Sequence, residues 1–115
     1  MLGNFNEESQ FILLKSREEM DNLNHPYIGP EHLFLSLLKN NEKISNSLEN
    51  HGITYDTFKT EILTVIGKGS KKNKFFLYTP LLKKIIENSL LDAKDNNNGE
   101  VTPKELVTES IDRAK

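Results

Sequence analysis

The stretch Ile28-Gly29-Pro30-Glu31-His32-Leu33-Phe34-Leu35-Ser36-Leu37-Leu38 decides the fold, because its pattern returns 73 positions later as Val101-Thr102-Pro103-Lys104-Glu105-Leu106-Val107-Thr108-Glu109-Ser110-Ile111. Each copy sets a proline at a first helical position, where the missing N–H costs nothing and the fixed φ suits a helix. Extended backwards, the same offset pairs Phe5 with Tyr78, Ile12 and Leu13 with Ile85 and Ile86, and Ser16 with Ser89. Few pairs are identical. What stays in register, without a gap over about 35 residues, is the class of residue: apolar, small or turn-forming. Serines on a buried face let two helix axes approach closely.

The rest of the chain reads as helix around this repeat. Apolar residues recur at three- and four-residue steps, and no long window alternates as a strand would. Asn6 is an N-cap, followed by Glu7 and Glu8 where the helix dipole favours acid, so a first helix is expected over about residues 6–22. Gly29-Pro30 opens a second. A third carries Ile44, Ser47 and Leu48 and ends at Gly52. Thr54 caps a fourth, with Tyr55, Phe58, Ile62, Val65 and Ile66 expected inward and Gly67 as its stop. Residues 67–77 form a linker rich in glycine and lysine. Thr79-Pro80 starts a fifth helix, and the polar run Asp95-Asn96-Asn97-Asn98-Gly99 breaks it. Thr102-Pro103-Lys104-Glu105 is a capping box that opens a sixth.

The expected architecture is all-α: two related helical units in one domain over residues 1–115. The first runs from about 5 to 67. The second, from about 78 to 115, is abbreviated to two helices. A stacked repeat shortened in this way leaves the apolar face of its last helix poorly covered. That implies a clipped larger protein, an end covered by another chain, or a rearranged six-helix packing.

Composition removes several function classes. At 115 residues with 36% hydrophobic content, the chain holds one modest core. No apolar run exceeds the four residues of Phe11-Ile12-Leu13-Leu14 or Phe75-Phe76-Leu77-Tyr78, whereas a membrane-spanning helix needs about 20. The start lacks a basic segment followed by an apolar one, so no secretory signal is visible. With no cysteine there is neither a disulfide framework nor a thiolate metal site. A net charge of −2 argues against a dedicated nucleic-acid binder.

The order Phe5-Asn6-Glu7-Glu8, then His25-Pro26-Tyr27-Ile28-Gly29-Pro30-Glu31-His32-Leu33, then Ile66-Gly67-Lys68-Gly69 and Tyr78-Thr79-Pro80, resembles the amino-terminal domain of Clp ATPases. The pattern there is a Phe-Thr start and a Gly-Thr-Glu-His-Leu-Leu-Leu-like helix opening. Residues 4–94 carry the likeness well and 95–115 poorly, and the Tyr-Thr-Pro junction favours the ClpC- and ClpA-like branch. The resemblance implies a helical double repeat that receives client and adaptor proteins. It also implies a flexible tether in cis to a hexameric AAA+ ring, which unfolds those clients and feeds a protease. It implies no catalysis and no cofactor in this chain, no nucleic acid and no membrane. A bacterial cytoplasm is the expected compartment, with a plastid-type organelle as the alternative.

In some ClpC-like relatives this domain binds phosphorylated arginine, a glutamate holding the guanidinium and a hydroxyl near a first-helix start helping with the phosphate. Carried over, Glu31 matches the glutamate, Asn6 stands where a threonine is usual, and Pro30 replaces the motif threonine. In the second unit Thr79 is kept, but Lys104 takes the glutamate position and would repel a guanidinium, while Glu105 takes the histidine position. The expected binding surface is the groove between the units, near Asn6, Glu31 and Thr79, with Phe75 and Phe76 as apolar anchors.

Other candidates carry less. Gly67-Lys68-Gly69-Ser70 lacks the spacing of a phosphate-wrapping loop. Residues 94–105 resemble a calcium loop through Asn96, Asn98, Gly99 and Glu105, but Lys94 sits where the first aspartate belongs, so a polar turn is expected. His25, His32 and His51 lack metal-ligand spacing. Lys68, Lys71, Lys72 and Lys74 are read as a solvated linker. Two alternatives to the docking domain stay open: a stand-alone helical regulatory or structural protein that dimerises, and a calcium-binding helical protein.

Overall fold

A computed structural model describes residues 4–70, 76–96 and 99–114. Among them lie six helices: α1 (Glu7–Asn22), α2 (Pro30–Asn40), α3 (Glu42–Glu49), α4 (Tyr55–Val65), α5 (Pro80–Asn96) and α6 (Pro103–Ala114). The starts follow from capping chemistry. Asn6 Oδ1 accepts from Ser9 N–H at 2.8 Å, Asn41 Oδ1 from Ile44 N–H at 2.8 Å, and Thr54 Oγ1 from Thr57 N–H at 3.1 Å. Each such bond satisfies a backbone donor the helix cannot, worth about 1 kcal/mol.

Two of the three proline-opened helices, α2 and α6, are capped alike by different residues. Gly29 N–H donates to His32 Nδ1 at 2.8 Å, and Thr102 N–H donates to Glu105 Oε1 at 2.7 Å. Both acceptors stand three residues into their helix, which explains how a glutamate can replace the histidine in the second copy.

The chain has no sheet among its described residues, yet two parallel β-bridges tie its halves: Phe5 with Val101, and Ile28 with Tyr78. The offset of 73 converts one bridge into the other, bond for bond. Asn6 N–H to Val101 O at 2.9 Å corresponds to Thr79 N–H to Ile28 O at 2.9 Å, and Val101 N–H to Asn4 O at 2.8 Å corresponds to Ile28 N–H to Leu77 O at 2.8 Å. The lead into α1 therefore runs beside the lead into α6, and the lead into α5 beside that of α2. Each copy's first helix is tied to the other copy's second.

One core cluster crosses between the copies, with Ile12, Leu13, Leu33 and Leu37 packed with Leu82, Ile85, Ile86 and Leu106. Serines sit where helices approach: Ser36 Oγ donates across to Ile12 O at 2.6 Å, and Ser16 and Ser89 are fully buried. A second cluster of Leu23, Leu35 and Ile62, with Tyr55 and Phe58, lays α4 against the other side of α2. Here the sequence expectation needs correcting: Val65 is 73% exposed and Ile66 58%. Of α4, only Ile62 is buried. The segment after α4 is not simply solvated either. Gly67 (φ 84°) turns the chain in a left-handed conformation, and Gly69 N–H donates to Leu23 O at 2.8 Å. A Cβ at Gly69 would collide with the carbonyl of Asn24.

Candidate functional site

A groove of about 530 Å³ opens between α2 and α6. Pro30, Glu31 and Phe34 come from α2, Ser110 and Ile111 from α6, Leu81 from the first turn of α5, and Ile53 and Phe58 from the lead into α4 and α4 itself. Leu38 of α2 is 3% exposed, whereas its counterpart Ile111 is 38% exposed. Phe34 meets Phe58 edge-on, with ring centroids 4.9 Å apart, and this pair forms one wall. The lining is apolar apart from Glu31 and Ser110, whose hydroxyl is occupied by Leu106 O at 2.7 Å. Glu31 thus supplies the one ionisable group of the lining among the described residues.

Glu31 stands in the first turn of α2, where the helix dipole favours a carboxylate. Its Oε1 lies 3.6 Å from His32 Nδ1, and its side chain folds over Gly29, where a Cβ would strike it. His32 is 2% exposed; burial first, and then His25 beside it, push the imidazole down to about 4. It is therefore neutral at pH 7 and leaves the charge at this end of the groove to the carboxylate.

The bridges divide the other residues singled out from sequence. Thr79, bonded through its backbone to Ile28, sits at the head of α2, the helix that carries Glu31. Asn6, bonded to Val101, sits at the head of α6, which carries Lys104 instead. Asn6 and Thr79 both spend a side-chain oxygen on capping, Thr79 Oγ1 accepting from Leu82 N–H at 3.1 Å. Neither is part of the groove lining. Phe76 is half-buried against the core, under Arg17, whose guanidinium carbon lies 3.4 Å from the ring centroid. It borders a separate hollow of about 260 Å³ with Leu14, Arg17, Glu18 and Asp21. Phe75 lies outside the described residues.

Sequence reasoning missed Phe34, Ile53, Phe58 and Leu81 as lining. No local signal marked them, because the lining depends on how α2, α4, α5 and α6 assemble. Among the described residues no cluster of three His, Asp or Glu side chains could hold a metal ion. No helix there is long and apolar enough to cross a membrane.

Residues 4–114 match the family model of the Clp repeat (R) N-terminal domain. The ATP-dependent Clp protease ATP-binding subunit ClpC of Staphylococcus aureus (strain USA300) is 39% identical over 95 residues. The negative regulator of genetic competence ClpC/MecB of Bacillus subtilis (strain 168) is 35% identical over 95 residues. Each alignment takes in 82% of this chain but 12% of the relative's length. The N-domain of ClpV from Vibrio cholerae superimposes with a TM-score of 0.79 at 19% identity, covering 98% of this chain and 69% of that one. A complex of the ClpV N-domain with a VipB peptide superimposes at 0.76, also at 19% identity, covering 98% and 71%.

Proposed function

The chain belongs to the Clp repeat N-terminal domain family, and from that premise we propose that it docks client and adaptor proteins for a Clp-type unfoldase that feeds a protease. The observation that carries this reading is the open groove between α2 and α6, about 530 Å³ and apolar with a single carboxylate at one end. Such a surface takes the apolar side chains of a partner segment and orients that segment by one charge. The peptide held by the ClpV N-domain, a protein of the same fold, supports it. Residues 1–115 act as one such domain, with the junction over residues 67–77 joining its two repeats.

The mechanism is capture rather than chemistry. Weak binding at the groove, on a domain tethered in cis to a hexameric ATPase ring, raises the local concentration of a client at the ring's entrance. Translocation is the work of the ring. The relatives are bacterial; the bacterial cytoplasm is the setting of this reading, in which the domain needs no cofactor of its own. Glu31 is the residue that would fork with a guanidinium on a client, phosphorylated or not. Thr79, across the bridge at the head of the same helix, is better placed than Asn6 to assist it.

Calorimetric titration tests this with an unfolded client chain and with free phosphoarginine. Glu31→Ala is expected to keep the fold and to weaken client binding at least fivefold. Equal affinities for wild type and variant would remove Glu31 from the site.

A further inference from the structure

Three hydrogen bonds run in series behind the groove. Gly29 N–H donates to His32 Nδ1 at 2.8 Å, His32 Nε2 meets His25 Nδ1 at 2.8 Å, and His25 Nε2 meets the carbonyl of Gly67 at 2.7 Å. The two ends fix every proton between them. A carbonyl only accepts, so His25 carries its proton on Nε2 and presents a bare Nδ1. A backbone N–H only donates, so His32 presents a bare Nδ1 and carries its proton on Nε2. Both rings are neutral and nearly buried, at 6% and 2% exposure.

A further proton cannot be added without breaking the series. On His25 Nδ1 it would face the N–H of His32 across 2.8 Å; on His32 Nδ1 it would face the N–H of Gly29. We propose that this relay is a proton-sensitive latch on the groove: neutral, it clamps the exit of α4 to the head of α2; protonated, it lets the two part. α4 carries Phe58 and α2 carries Glu31 and Phe34, so parting them loosens the wall that the Phe34–Phe58 pair forms. The inference rests on the reading of the groove as the docking surface.

The surroundings fit a switch. From α2, Glu31 lies 3.6 Å from His32 Nδ1 and is the carboxylate poised to turn toward an imidazolium, away from a ligand. α1 contributes the carbonyl of Met20, which accepts His25 N–H at 3.1 Å after Asn24 (φ 55°) reverses the chain. The exit of α4 contributes the Gly67 carbonyl, and Gly69 N–H to Leu23 O runs beside it as a second tie. Burial and the neighbouring His25 hold His32 down to about 4, while a released ring takes its proton near 6.5. The latch therefore opens as pH falls between those values.

Nuclear magnetic resonance on the full 115-residue chain tests this. At pH 7.5 both rings are expected as the Nε2–H tautomer. Between pH 7.5 and 5 the amide-exchange protection factors of Gly29 and Gly69 are expected to fall at least tenfold relative to that of Leu13 in the core. The double variant His25→Gln, His32→Gln leaves no imidazole in the series, and should abolish that pH dependence. Should it fail to fold, His25→Gln combined with His32→Glu, which copies the cap made by Glu105, serves in its place. Protection that does not change with pH in the wild type, or that falls equally in the folded variant, overturns the latch. A titration at pH 7.5 with reduced, carboxymethylated α-lactalbumin separates the two readings. Absent shifts at Phe34 and Ile111 would count against the groove as a docking surface, while the latch stands or falls on the protection factors alone.

Discussion

Glu19 is the most consequential polar residue outside the groove. Its carboxylate is 3% exposed on α1, accepts the Tyr55 hydroxyl of α4 at 2.6 Å, and lies 4.0 Å from Lys39 Nζ of α2. Burial and the carboxylate together hold the Tyr55 phenol far above its usual range. Tyr55→Phe removes the donor and leaves the buried acceptor short of a partner, at a cost of about 1–3 kcal/mol. Urea denaturation should show this as a lower midpoint with an unchanged slope. His32 adds a pH term. The unfolded ring binds its proton near 6.5 and the folded ring only near 4, so protons favour the unfolded chain between those values. That stability is complete above pH 6.5 and is lost as pH falls, about 2 kcal/mol by pH 5. Glu109, pushed up by its hydrogen bond to Asp92, works in the opposite sense but near the surface. Denaturation midpoints at pH 7.5, 6 and 5 should decline in that order, and flat midpoints would contradict a neutral, buried His32.

At the scale of elements, α4 separates what periodicity can and cannot tell. Its start at Thr54 and stop at Gly67 were legible, because capping and left-handed turns are local chemistry carried by single residues. Its inward face was only half legible. Tyr55, Phe58, Ile62, Val65 and Ile66 all fit a helical stripe, but how far that stripe stays covered depends on which elements pack against it, which no local pattern encodes. Ile62→Ala should therefore cost about 2–5 kcal/mol, whereas Val65→Ser should stay within about 0.5 kcal/mol of wild type. Paired thermal melts decide this; comparable losses would return Val65 to the core. The repeat was legible for the opposite reason. Its offset constrains many positions at once, and the two exchanged bridges are what that constraint looks like in space.

For the whole molecule, the candidate site was legible as a place and less so as a set of residues. Glu31 was named from its position at a helix start and does line the groove. Asn6 and Glu31 read as neighbours within one copy, but the chain crosses between copies, so Asn6 joins the head of α6 and Thr79 the head of α2. Phe34 and Phe58 read as ordinary core residues, and only the assembled walls show them facing the opening. On the proposed function a polypeptide segment docks between α2 and α6. Backbone and methyl chemical-shift mapping on adding an unfolded client chain at pH 7.5 is the test. Shifts are expected to concentrate at Glu31, Phe34, Phe58, Leu81 and Ile111 and to be reduced by Phe58→Ala. Shifts confined to Leu14, Arg17 and Phe76, or to Val65 and Ile66, with the groove unchanged, would contradict it.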